Sequence, residues 1–202
     1  MRPTEILSNE HRVIEQVLSA LEAMAKRSKD KGKLDKGLAG EAIDFLRNFA
    51  DRCHHKKEED LLFKRMEERG FPRNGGPTGV MLEEHEIGRG YIRAMSEALE
   101  GAAKGDKTNL KQFVQNAEDY VALLRSHIQK EDQILYPMAD RVFSESDQNS
   151  LAESFDRVEK EDMGSGTHEK YHAIADKLAE EFGVPKAQET PAHTHEHFHH
   201  CC

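Results

Sequence analysis

Apolar residues recur at three- and four-residue intervals along most of the chain, the spacing that lines up one face of an α-helix. The first stripe is Leu7, Ile14, Leu18, Leu21 and Ala25, and it predicts a helix from a cap at Thr4 to about Asp30. The Lys/Gly segment around Gly32 ends it, and a second stripe follows through Phe45, Leu46, Phe49, Ala50, Leu61 and Leu62. Gly70-Phe71-Pro72-Arg73-Asn74-Gly75-Gly76-Pro77 breaks that helix, since proline and glycine punctuate helical runs. Met81, Gly88, Ile92, Met95 and Leu99 mark a third helix that ends near Gly101 to Gly105. Phe113, Val114, Ala117, Val121, Leu124, Ile134 and Leu135 mark a fourth. Short connections make neighbours antiparallel, so the expected fold is all-α: an up-down-up-down four-helix bundle with additional C-terminal helices.

Polar residues interrupt these stripes at matching places. His11 falls in the first, His54 and Glu58 in the second, His85 in the third, His127 and Glu131 in the fourth. The segment Cys53-His54-His55-Lys56-Lys57-Glu58-Glu59-Asp60-Leu61-Leu62-Phe63 is written again as Ser126-His127-Ile128-Gln129-Lys130-Glu131-Asp132-Gln133-Ile134-Leu135-Tyr136. Each copy places a histidine four residues before a glutamate, so both side chains leave one helix face together. His11 and His54 lie 43 positions apart about the Gly32/Lys33 break, and His85 and His127 lie 42 apart about Asp106. In an antiparallel hairpin such residues share one height. Asn9-Glu10-His11 also resembles Glu83-Glu84-His85, which reads as a duplicated helical hairpin.

Carboxylates on a core-facing stripe are costly unless paired or bound to a cation. A lone pair of this kind is most simply a buried His–Glu hydrogen bond. Six such residues at one height, in two-fold arrangement, point instead to a metal layer, and imidazole with carboxylate suits iron, manganese or zinc. The Glu-x-x-His pairs of ferritin-like di-iron sites are absent, because Asp51 and Leu124 stand three residues before His54 and His127.

With these residues the chain resembles the hemerythrin-like, or HHE cation-binding, proteins over roughly residues 4–140. The resemblance implies a centre of two iron ions with oxo or carboxylate bridges. It implies His11 and His54 on one iron, His85 and His127 on the other, and Glu58 and Glu131 as bridges. The oxygen carriers of that family have a further histidine where this chain has Arg89, and an Asp bridge where it has Asp132 beside the better-aligned Glu131. The set of four histidines and two glutamates is similar to bacterial di-iron proteins that respond to nitric oxide. The implied function is binding of dioxygen or nitric oxide in sensing, scavenging or stress protection. The alternatives are an enzyme acting on peroxide or nitric oxide, and iron storage or iron–sulfur repair. The implied partners are a small diatomic ligand or peroxide, and an iron donor or acceptor protein.

Other residues carry weaker signals. His55 and Glu59 share the i, i+4 spacing, but the repeat aligns them with Ile128 and Asp132 and places them on the flank or behind the ligands. Glu15 follows His11 by four and is divided between the site and the surface. Cys53 is expected to be a buried inert thiol and Tyr120 a core residue. Residues 1–143 are assigned to the bundle, 144–185 to a helical extension and 186–202 to a His/Cys-rich disordered tail. Leu151, Phe155 and Val158, then Tyr171, Ile174, Leu178 and Phe182, predict extension helices packed outside the bundle. His168-Glu169-Lys170-Tyr171-His172 matches a zinc-protease motif in form only, without a third ligand or a cleft.

Composition narrows the partners. A net charge of −9 spread along the chain argues against nucleic acid. No apolar run approaches the roughly 18 residues of a membrane span, and Met1-Arg2-Pro3-Thr4-Glu5 lacks the apolar segment of a secretory signal. Three cysteines, two of them adjacent, fit a reducing compartment, and the expected location is the cytoplasm.

Overall fold

Pro3 suits the first turn of a helix, where its missing N–H has no partner to lose, and it opens α1, Pro3–Lys31. Gly32, at φ 64°, ends that helix in the left-handed conformation that glycine adopts without strain. The Asp35 carboxylate then accepts the Leu38 N–H at 3.0 Å and starts α2. This second helix runs as Lys36–Phe45, widens to π-helical winding over Leu46–His55 and again over Glu58–Leu62, and finishes as Phe63–Glu68. Helix α3 is Pro77–Ala103. Asp106, accepting the Asn109 N–H at 2.7 Å, caps α4, which comprises Lys107–Lys130, a π turn over Glu131–Leu135 and a last segment Tyr136–Val142. A reciprocal Ser144–Asp147 cap opens α5, Glu145–Arg157, and α6 is Thr167–Phe182. This computed structural model describes residues 1–163 and 166–187. The expected tail therefore lies, from residue 188 onward, outside the described residues.

Helices α1 to α4 form the bundle, with α3 lying along α4 and α4 along α1. The all-helical bundle expected from the periodicity is what forms, and no strand occurs among the described residues. Its apolar interior is divided in two. One cluster includes Ile14, Phe49, Ile92 and Leu124; the other includes Leu7, Leu62, Met81 and Leu135. Each helix crosses from one cluster to the other through the polar residues singled out above. The layer is thus sealed above and below by hydrocarbon.

The C-terminal helices bridge both clusters. Leu151 and Phe155 of α5 join the second, and Tyr171 and Leu178 of α6 join the first. Burying each apolar side chain stabilises the attachment by roughly 1.5–3 kcal/mol before ordering costs. Polar ties add orientation: the Gln16 amide donates to Asp176 at 3.0 Å, and Arg27 pairs with Glu181 at 2.8 Å. Among the described residues no helix is long and apolar enough to cross a membrane.

Candidate metal centre

A π-helical stretch turns successive residues through a smaller angle than an α-helix does, and such turns concentrate at functional sites. Over Leu46–His55 this winding lets two adjacent residues, His54 and His55, both face the bundle axis. The matching π turns at Glu58–Leu62 and Glu131–Leu135 begin on the two glutamates themselves. The layer holds His11, His54, His55, Glu58, His85, His127 and Glu131, none more than 4% exposed.

Nitrogen Nε2 of His11 lies 3.3 Å from Glu131 Oε2, and that of His127 lies 3.2 Å from Glu131 Oε1. Glu58 Oε2 faces His54 Nε2 at 3.7 Å and His85 Nε2 at 3.5 Å. Two sets of possible ligand atoms result, each within 4.8 Å of one another: His11, His54, Glu58 and Glu131, and His55, Glu58, His85 and His127. Glu58 belongs to both.

Each imidazole is held from behind. The Nδ1–H groups of His11, His54, His85 and His127 donate to Asp132, Glu10, Glu59 and Glu84 at 2.9, 2.8, 2.7 and 2.8 Å. His55 leans on Asp51 at 3.4 Å. Carboxylates only accept, so Nδ1 carries a proton, and in the neutral ring the Nε2 lone pair turns inward, the arrangement that orients metal-binding histidines. Behind the carboxylates stand cations: Arg12 on Asp132, Lys57 on Glu10, Lys130 on Glu84, and Arg89 on Asp51 and Glu59.

The interior of the layer is short of positive charge. Glu58 Oε2 and both Glu131 oxygens have no hydrogen-bond partner. His85 and His127 point Nε2 at Nε2 across 3.0 Å, a separation that two lone pairs tolerate only with a cation or proton between them. Burial and the charge of Glu131 push the Glu58 carboxyl well above its ordinary range. Burial lowers His54 to about 4 and His85 to about 3. Burial opposes the charged form of His127 too, but Glu131 and Glu84 outweigh it and hold this imidazole up at about 9. A proton on His127 therefore does part of a cation's work. A divalent ion satisfies the same atoms more fully, and five imidazoles with two carboxylates suit iron, manganese or zinc rather than magnesium or calcium.

Residues 2–139 match the hemerythrin HHE cation-binding domain. The chain belongs to the hemerythrin family. Uncharacterized proteins of Mycobacterium bovis and Mycobacterium tuberculosis are 23% identical to it over 176 residues, covering 87% of this chain and 67% of theirs. No solved structure gives a significant match.

This hemerythrin domain brings together all six residues singled out from the repeat, and adds two. The repeat put His55 on the flank opposite Ile128; instead it stacks on His85 with ring centres 3.8 Å apart. The available signal was Asp51 four residues earlier, a carboxylate placed to hold it. The tyrosine of the site is Tyr136 rather than Tyr120. Its hydroxyl donates to Glu58 Oε1 at 2.6 Å, and its ring stacks on His11, as that of Phe63 does on His85. Tyr120 is buried against Gly88 in the core. Glu15 pairs with Arg125 away from the layer, Glu59 and Asp132 support imidazoles, and burial pushes the Cys53 thiol up to about 12, which leaves it inert.

Proposed function

We propose that the layer holds two iron ions, with Glu58 and Glu131 between them, and that the protein binds dioxygen or nitric oxide in sensing, scavenging or stress protection. The observation that carries this reading is the inward convergence of four Nε2 atoms, with His55 beside them, on carboxylate oxygens that lack other partners. A bound iron pair supplies open coordination positions for a diatomic ligand and one-electron redox capacity.

The chain's own residues make the two halves unequal. His55, His85 and His127 serve one half, beside Phe63, whereas His11 and His54 serve the other, beside Tyr136. The half with fewer imidazoles is thus the half with a hydroxyl, the polar group beside which a small ligand would sit. The apolar clusters on either side keep bulk water from that position. Tyr136 also favours a second reading, turnover of peroxide or nitric oxide, because a buried phenol can donate a proton to a reduced ligand.

Protein purified anaerobically is expected to contain about two irons per chain and to develop near-ultraviolet bands on exposure to air. Absence of iron from the bundle would defeat the reading. An adduct that decays slowly supports binding; steady turnover of hydrogen peroxide or nitric oxide supports the second reading. In His55→Leu, one of the two ions should bind roughly 10- to 100-fold more weakly, the other being unchanged, as measured by metal titration. Equal affinity in that variant would return His55 to the flank.

A further inference from the structure

The two halves of the repeat differ once more, outside the ligand layer. In each, a lysine three residues after a histidine reaches back to the carboxylate that holds that histidine: Lys57 to Glu10 on His54, and Lys130 to Glu84 on His127. Lys130 is partly exposed, and among the described residues Glu84 is its one carboxylate partner. Lys57 is fully buried, and its ammonium donates a second hydrogen bond, 2.6 Å long, to Glu159 in the turn after α5. Glu159 belongs to the C-terminal extension, so a chain of contacts runs from that extension through Lys57 and Glu10 to Nδ1 of His54.

Ligand atoms of Glu10, Glu159 and His168 also come within 4.8 Å of one another. The Lys57 ammonium already lies on both carboxylates and supplies the cation there, so this cluster needs no metal of its own. Its charges are two carboxylates against one ammonium, where the Glu84–Lys130 counterpart has one against one. The extension thereby adds a negative charge behind His54, in the half with only two histidines.

We infer that Lys57 and Glu159 are positioning residues through which the C-terminal extension strengthens retention of the metal ion held by His11 and His54. This rests on the two-metal reading above. With Glu159 present, the ammonium is shared and Glu10 keeps its full pull on the His54 Nδ1–H, which makes Nε2 a better donor. Without it, the ammonium draws on Glu10 alone, and the net charge behind the imidazole rises by one.

The test uses full-length protein and Glu159→Gln, which keeps the shape of a partly exposed side chain. Both are loaded with iron(II) anaerobically and challenged with excess chelator. Wild type is expected to release its two ions in separate phases, and Glu159→Gln to speed one phase about 10-fold while leaving the other unchanged. Cobalt(II) in place of iron should show the visible bands of one ion shifted in the variant, which a merely structural tie would not produce. Unchanged phases and bands, or equal acceleration of both phases, would overturn the inference. Wild type that binds fewer than two ions would instead defeat the two-metal reading on which it stands.

Discussion

Glu58→Gln is expected to weaken binding of both metal ions by on the order of 100-fold or more, while the metal-free protein stays folded. One oxygen of this residue faces His54 and His85 together, so its charge serves both ligand sets. Loss of a supporting residue costs 10- to 100-fold in metal affinity, and loss of a shared ligand should cost at least the upper end of that range. The metal-free fold tolerates the amide because burial and Glu131 already push the Glu58 carboxyl towards its neutral form, and Tyr136 can donate to either group. Glu131→Gln should behave differently. Glu131 is charged in the metal-free protein, since His127 and His11 outweigh its burial. Removing it strands those imidazoles, at a cost on the order of 3–5 kcal/mol. Metal analysis with urea unfolding of both variants checks the contrast. Two irons retained in Glu58→Gln would remove that residue from the ligand set.

Removal of metal by a chelator should lower the melting temperature by on the order of 10 °C. A site at a free metal concentration 1,000 times its dissociation constant adds about 4 kcal/mol, and each kcal/mol moves a chain of this size by about 2–4 °C. The size of the effect depends on pH with a definite sign. The folded-state value of His127 is raised to about 9 from the ordinary imidazole value of 6.5, so its pairing with Glu131 stabilises the metal-free protein fully below about 6.5. That contribution fades as the pH rises through about 9. Metal requires the neutral imidazole and displaces its proton, so binding strengthens over the same interval. The metal-dependent rise in melting temperature should therefore be larger at pH 8.5 than at pH 6. A rise that shrinks with pH would contradict a protonated layer in the metal-free state.

Much of this was legible in the chain. Helix positions followed from apolar spacing, and the common height of His11, His54, His85 and His127 followed from their equal distances to the intervening turns. Period and hairpin symmetry are properties of one helix or one pair, so local pattern suffices to read them. The support of each imidazole was half visible: Glu10 and Glu84 precede His11 and His85, but they hold His54 and His127 on the neighbouring helix.

His55 and Tyr136 were hidden for different reasons. An α-helical wheel sends residues 54 and 55 in different directions, and only the π winding of α2 turns both inward. That winding depends on how the helix packs against its neighbours, which no spacing rule contains. Tyr136 looked like the aromatic that closes an apolar run, as Phe63 does in the other copy; its hydroxyl matters because Glu58, on another helix, lies 2.6 Å away. Helical periodicity and chain symmetry are written along one dimension, and they suffice for an all-helical duplicated bundle with a six-residue polar layer. The inequality of the two halves, with a fifth imidazole in one and a hydroxyl and the Glu159–Lys57 tie in the other, comes from the packing of helices against one another. Those differences arise from contacts between residues up to 125 positions apart, set by packing between helices and invisible to any local pattern.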